Sequence, residues 1–171
     1  IMCGVIAFLR STSLAWKARL GLHAEQHRAQ EHTGLAILNT SGNIVTHLGM
    51  GRVLEVLPDQ VIEGLNTDGV AIIGHIRYST SIDKFSAQPI ADGWVAIAHN
   101  GNFHNVPSVM IDHLSEVVFR TQLDTEALLR LILKLSPTMP ETLDEVANIV
   151  DQAQGMLKGS SSVVILTPLG V

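Results

Sequence analysis

Val70-Ala71-Ile72-Ile73-Gly74-His75-Ile76 is apolar almost without a break, β-branched at four positions, and preceded by the turn pair Asp68-Gly69. A run this short and this continuous reads as a strand buried on both faces rather than as a half-exposed strand, which would alternate. A sheet with such a strand has to be covered on both sides. The rest of the chain supplies the means. Cys3-Gly4-Val5-Ile6-Ala7-Phe8-Leu9 reads as a second buried strand, and Gly34 to Asn39 with Asn43 to Leu48 as a hairpin turning at Thr40-Ser41-Gly42. Trp94 to His99 and Ser162 to Thr167 add further strands.

Helices are expected from Ser11-Thr12-Ser13, offering N-cap side chains, through roughly His27, with no clean apolar stripe. A short helix follows Val106-Pro107-Ser108, and Ala127 to Leu135 carries leucines all round its wheel, as a buried helix does. Thr138 to Gln154 is amphipathic, with Leu143, Val146, Ala147, Val150 and Ala153 at three- and four-residue steps. Gly51 to Thr67 fits no single pattern. Strands grouped with helices long enough to cover them give a layered α/β or α+β domain. There is no repeat, low-complexity tract or linker, so residues 1–171 read as one unit.

The 171 residues are 46% hydrophobic and 16% charged, with a mean hydropathy of +0.29, enough to bury a full core and unlike a disordered chain. The net charge of −5, with no basic cluster, argues against a nucleic-acid groove. Apolar runs fall far short of a membrane span, and no secretory signal opens the chain. The single cysteine, Cys3, suits a reducing compartment, most simply the cytoplasm. His23 and His27 lack the intervening Glu of a zinc-protease helix, so no metal is expected, and no phosphate-cradling glycine motif is present.

Four places look chemical, each with a plainer alternative. The Cys3 thiol is a nucleophile or a small buried hydrophobe; a chain-terminal α-amine, with a reference pKa of about 7.7–8.0, would be a suitable base for it. Arg77, ending its strand in Gly74-His75-Ile76-Arg77-Tyr78-Ser79-Thr80, is a fork for a carboxylate or a surface ion-pair partner. His99-Asn100-Gly101-Asn102 is an oxyanion-binding segment or an ordinary Asn-Gly turn directly after a strand. Asp124 faces a substrate ammonium or caps the helix that follows it.

Met2-Cys3-Gly4-Val5, His27-Arg28-Ala29-Gln30-Glu31, the Gly74 to Thr80 segment, Ala98-His99-Asn100-Gly101-Asn102 and Asp124-Thr125-Glu126 occur in one order. In that order and spacing the chain resembles the glutaminase domain of the class II glutamine amidotransferases, which are N-terminal-nucleophile (Ntn) hydrolases. Arg-Tyr-Ser-Thr at 77–80 is similar to the amidophosphoribosyltransferase branch; glucosamine-6-phosphate synthases usually read Arg-Trp-Ala-Thr there. The strand Val163 to Thr167 fits the same domain. Ala29, Ser81-Ile82 and Leu123 depart from the residues usual in the family.

The resemblance implies an α+β, four-layer αββα sandwich over residues 1–171, C-terminally truncated relative to the family's domain. It implies that Cys3 attacks the glutamine carboxamide, that Asn100 and Gly101 hold the oxyanion, and that Arg77 and Asp124 grip the α-carboxylate and α-ammonium. Thr80 would line the pocket. Glutamine is then the substrate, and ammonia passes to an acceptor synthase in cis or in trans, for phosphoribosylamine formation in purine biosynthesis. No cofactor is expected in this domain; Mg belongs to a phosphoribosyltransferase domain, which nothing in the sequence resembles. Self-association is left open. Ile1-Met2 precede Cys3, so the thiol's own α-amine is a peptide nitrogen in the sequence as written. The reading of another class is a non-catalytic relative that binds glutamine or a partner and regulates.

Overall fold

In a computed structural model, residues 3–65, 69–78 and 86–171 are described. The expected strands form two antiparallel sheets. Strands β1 (Gly4–Leu9), β2 (His32–Asn39), β3 (Ile44–Met50) and β4 (Gly69–Arg77) lie in the order β1-β4-β2-β3. Strands β5 (Ile90–Asp92), β6 (Val95–Phe103) and β7 (Gly159–Leu166) form the second sheet in that order. The sequence reading did not identify β5, which is only three residues long.

The continuous apolar character of β4 has its explanation in the two faces of its sheet. Ile72 and Ile76 pack with Leu14, Ala15, Ala18 and Leu22 of α1 (Leu14–Ala24), beside α2 (Val53–Val56) and α3 (Asp59–Leu65). The intervening Ala71 and Ile73 face the other sheet, against Ala96, Ala98 and Leu166. On the far side of that second sheet, Val95, Ile97 and Phe103 pack on α4 (Val106–His113), α5 (Asp124–Leu135) and α6 (Leu143–Gly155). Helix, sheet, sheet, helix: the domain is the α+β, four-layer αββα sandwich. No helix among the described residues is long and apolar enough to cross a membrane.

Several local expectations change. Helix α1 ends at Ala24 rather than near His27, and Ser13 adopts a left-handed conformation and makes no side-chain cap. Its stripe runs through Leu14, Ala15, Ala18, Arg19 and Leu22, while Leu20 points outward at 63% exposure. An arginine in the buried stripe hid the pattern; Arg19 stacks over Trp16 and donates to the Leu57 carbonyl and to Asp59. Of the stretch with no single pattern, residues 51–65 are described and yield the two short helices α2 and α3. Helix α6 begins at Leu143, where the Thr142 hydroxyl accepts from the Glu145 N–H, rather than at Thr138. Helix α5 is buried over most of its length, as its leucines imply.

Candidate active site

Asn100, Gly101 and Asn102 are not a turn. They continue β6, opposite Ser162, Ser161 and Ser160 of β7. Gly101 is there because the neighbouring strand leaves no room. A Cβ at that position would lie 2.2 Å from the Ser160 carbonyl oxygen and 2.7 Å from His99 Nε2. Gly159, across the ladder at φ 151°, is equally tight against the Asn102 carbonyl. The Asn-Gly pair signals close backbone approach rather than chain reversal.

This extension carries Asn100 across the sandwich to the start of β1. Its Nδ2 donates to the Cys3 carbonyl at 3.1 Å. An amide nitrogen has two hydrogens, so one remains for a further acceptor. Cys3 is half-buried, and its thiol is free. Gly4 pairs with Ile76 in the β1–β4 ladder, so Cys3 sits next to the end of β4 that carries Arg77. Arg77 Nη1 is buried and has no partner among the described residues. A buried guanidinium nitrogen without an acceptor is costly, and is the feature expected of a fork that awaits a carboxylate.

Asp124 opens α5 on the far side of β6. Its Oδ2 accepts from the Phe103 N–H at 2.7 Å, its Oδ1 from the Thr125 N–H at 2.9 Å, and His99 Nδ1 lies 3.6 Å away. Burial alone would raise this carboxyl; His99 and the two backbone N–H groups outweigh it and hold Asp124 below the usual carboxylate range. Asp124 is therefore anionic at neutral pH. Among the described residues no ion pair joins it to Arg77, so neither charge cancels the other. The loop leading to Asp124 is organised by Glu126, whose carboxylate accepts from the N–H groups of Arg120 and Thr121 and from the Arg130 guanidinium.

The structure thus places Cys3, Asn100 and Arg77 where β1, β4 and β6 meet. Gly101 follows Asn100 along β6, and Asp124 lies against the same strand through Phe103. Thr80 and Ser81-Ile82 fall outside the described residues. Two buried histidines belong to the surroundings and were given no role from sequence. His75 donates its Nε2 hydrogen to the His99 carbonyl at 3.1 Å, and burial pushes its pKa down to about 3. His99 belongs to the Ala98 to Asn102 motif, and its contacts arise only in the fold. No group of three or more His, Cys, Asp or Glu that could hold a metal occurs among the described residues.

No protein-family model matches the chain. Similarity to individual proteins is extensive. Amidophosphoribosyltransferase 2, chloroplastic, of Arabidopsis thaliana is 34% identical over 173 residues, covering 96% of this chain and 29% of that protein. Amidophosphoribosyltransferase of Staphylococcus epidermidis is 32% identical over 174 residues, covering 96% of this chain and 33% of that protein. A solved structure of the allosteric regulatory enzyme of purine biosynthesis superposes with a TM-score of 0.82 at 28% identity. It covers 96% of this chain and 35% of that one. The chain spans about a third of the length of these relatives. With the sandwich fold shared and the sequence similar over nearly its whole length, the chain belongs to the class II, Ntn-type glutamine amidotransferase domains, in the branch of the amidophosphoribosyltransferases.

Proposed function

We propose that the chain hydrolyses glutamine to glutamate and ammonia, with Cys3 as nucleophile and residues 1–171 forming one glutaminase unit. The observation that carries this reading is the Asn100 amide held at 3.1 Å from the Cys3 carbonyl, beside an unpartnered Arg77 nitrogen.

The chemistry follows from what each group can do. Arg77 takes the α-carboxylate of glutamine and Asp124 its α-ammonium, opposite charges for the two ends of a zwitterion. The side-chain carboxamide is thereby brought to Cys3. Sγ bonds to the carboxamide carbon while its proton moves to the α-amine of Cys3, the base an Ntn site uses. The negative oxygen formed accepts from the remaining Asn100 Nδ2 hydrogen and from the Gly101 N–H. Collapse breaks the C–N bond, the proton taken up by the Cys3 amine goes to the leaving nitrogen, and ammonia departs from a γ-glutamyl thioester. Water then attacks the thioester, releasing glutamate and restoring the thiol.

The ammonia acceptor we propose is phosphoribosyl pyrophosphate, converted to phosphoribosylamine in purine biosynthesis by a phosphoribosyltransferase domain in cis or in trans. Any Mg requirement lies with that domain. A reducing compartment, the cytoplasm, suits the free Cys3 thiol. The test is glutamate release from glutamine by protein whose first residue is Cys3, compared with Cys3→Ala. Release by the former alone supports the reading. Equal release by both, or by neither, overturns it.

A further inference from the structure

His99 is pinned at every point but one. Its N–H donates to Gln88 Oε1 at 2.8 Å, its carbonyl accepts from His75, and its Nδ1 lies 3.1 Å from Thr125 Oγ1. Its ring stacks on Phe103, with centroids 4.6 Å apart and planes 10° from parallel. The residue is 2% exposed. The proton sits on Nδ1, because a lone pair there would face the Asp124 carboxylate 3.6 Å away. Nε2 has no partner among the described residues.

The two residues that the ring touches are the two that hold Asp124. Phe103, under the stack, donates its N–H to Oδ2; Thr125, at the end of the Nδ1 hydrogen bond, donates its N–H to Oδ1. One side chain therefore fixes both donors that set the direction of the carboxylate, and adds its own N–H nearby. Burying an imidazole with one nitrogen unsatisfied costs stability, and an apolar ring would fill the space without that cost. The polar ring makes sense if Asp124 has to point in one direction.

We propose that His99 is a positioning residue: acting through Phe103 and Thr125, it aims the Asp124 carboxylate at the α-ammonium of the bound amino acid and so sets the preference for an α-amino substrate. This rests on the glutaminase reading above. It differs from a merely structural role in what it predicts for a substrate that has no ammonium.

The experiment compares kcat/KM for glutamine with kcat/KM for glutaramate, which is glutamine without its α-amino group, in protein whose first residue is Cys3. The wild type, His99→Phe and His99→Asn are measured. The ratio of the two values does not depend on how much of a variant is folded. His99→Phe keeps a ring on Phe103 and removes Nδ1; the preference for glutamine is expected to fall about tenfold or more, the size of one charge-assisted contact, through a higher glutamine KM. The glutaramate value should change little. His99→Asn, which keeps a donor toward Thr125 but no stacked ring, should fall between, and its ratio decides if the Phe variant is too unstable to assay. Wild-type preference in the variants, with both substrates declining together, overturns the proposal and leaves the glutaminase reading standing. No glutamine hydrolysis by the wild type overturns both.

Discussion

The Asn100 side chain donates to the carbonyl of Cys3, 97 residues away in the chain, and this contact joins the two sheets at the end where the thiol stands. In the proposed mechanism Asn100 has two tasks: one amide hydrogen holds the backbone of Cys3 and the other serves the developing oxyanion. Asn100→Ala removes both. In the protein with Cys3 first, kcat for glutamine hydrolysis is expected to fall by about 10²–10³, the typical effect of losing one oxyanion donor. KM should move little, because the ground-state carbonyl needs that donor less. A loss confined to KM would show that Asn100 only shapes the strand.

Arg77 tests the other half of the pocket. Its Nη1 is buried without a partner among the described residues. Arg77→Lys keeps the charge and loses the planar fork, so glutamine KM should rise well beyond what a charge-conserving change suggests. Asp124→Asn should raise KM too, since the ammonium loses its formal counter-charge. Steady-state kinetics on the two variants checks both, and wild-type KM values in both would misplace the zwitterion pocket.

The local sequence reveals the fold better at some places than at others. Val70 to Ile76 announced a strand buried on two faces, and both faces are filled, by Ile72 and Ile76 on one side and Ala71 and Ile73 on the other. Asn100-Gly101 misled in structure. The pair is a turn signal by propensity, yet a neighbouring strand 2.2 Å from a would-be Cβ demands the same glycine, and local sequence does not distinguish the two. Arg19 broke the expected stripe of α1 because its partners, the Leu57 carbonyl and Asp59, lie 38 and 40 residues away. The contacts of His99 with Thr125 and Phe103 were invisible for the same reason; they exist only once β6 and α5 are packed together.

His75 gives a prediction that concerns stability rather than turnover. Buried between the sheets, its pKa is pushed down to about 3 from 6.5. Between those pH values the unfolded chain binds a proton at this position that the folded chain does not. Stability is therefore retained above pH 6.5 and declines as pH falls toward 3, by at most about 1.4 kcal/mol per pH unit from this group. His75→Gln keeps a donor for the His99 carbonyl and has nothing to titrate. Urea unfolding midpoints measured at neutral pH and again near pH 4.5 should differ less in His75→Gln than in the wild type. Equal differences would mean that the imidazole takes up its proton within the fold.

The last prediction concerns the first two residues of the sequence. An Ntn site needs the thiol and its base on one residue, so the proposed mechanism makes the α-amine of Cys3 the proton acceptor for Cys3 Sγ. With Ile1-Met2 attached, that nitrogen is an amide, which takes up no proton at neutral pH. The form carrying Ile1-Met2 should hydrolyse glutamine poorly or not at all, and the form beginning at Cys3 should be active. The glutamine analogue 6-diazo-5-oxo-norleucine should label the second form at Cys3, the single cysteine, and should not label Cys3→Ala. Intact-mass spectrometry identifies the form in hand and the adduct together, and a glutamate-release assay on both forms completes the comparison. Equal activity with and without the extension would mean that a base other than the α-amine serves Cys3, and the Ntn mechanism would then have to be abandoned for this chain.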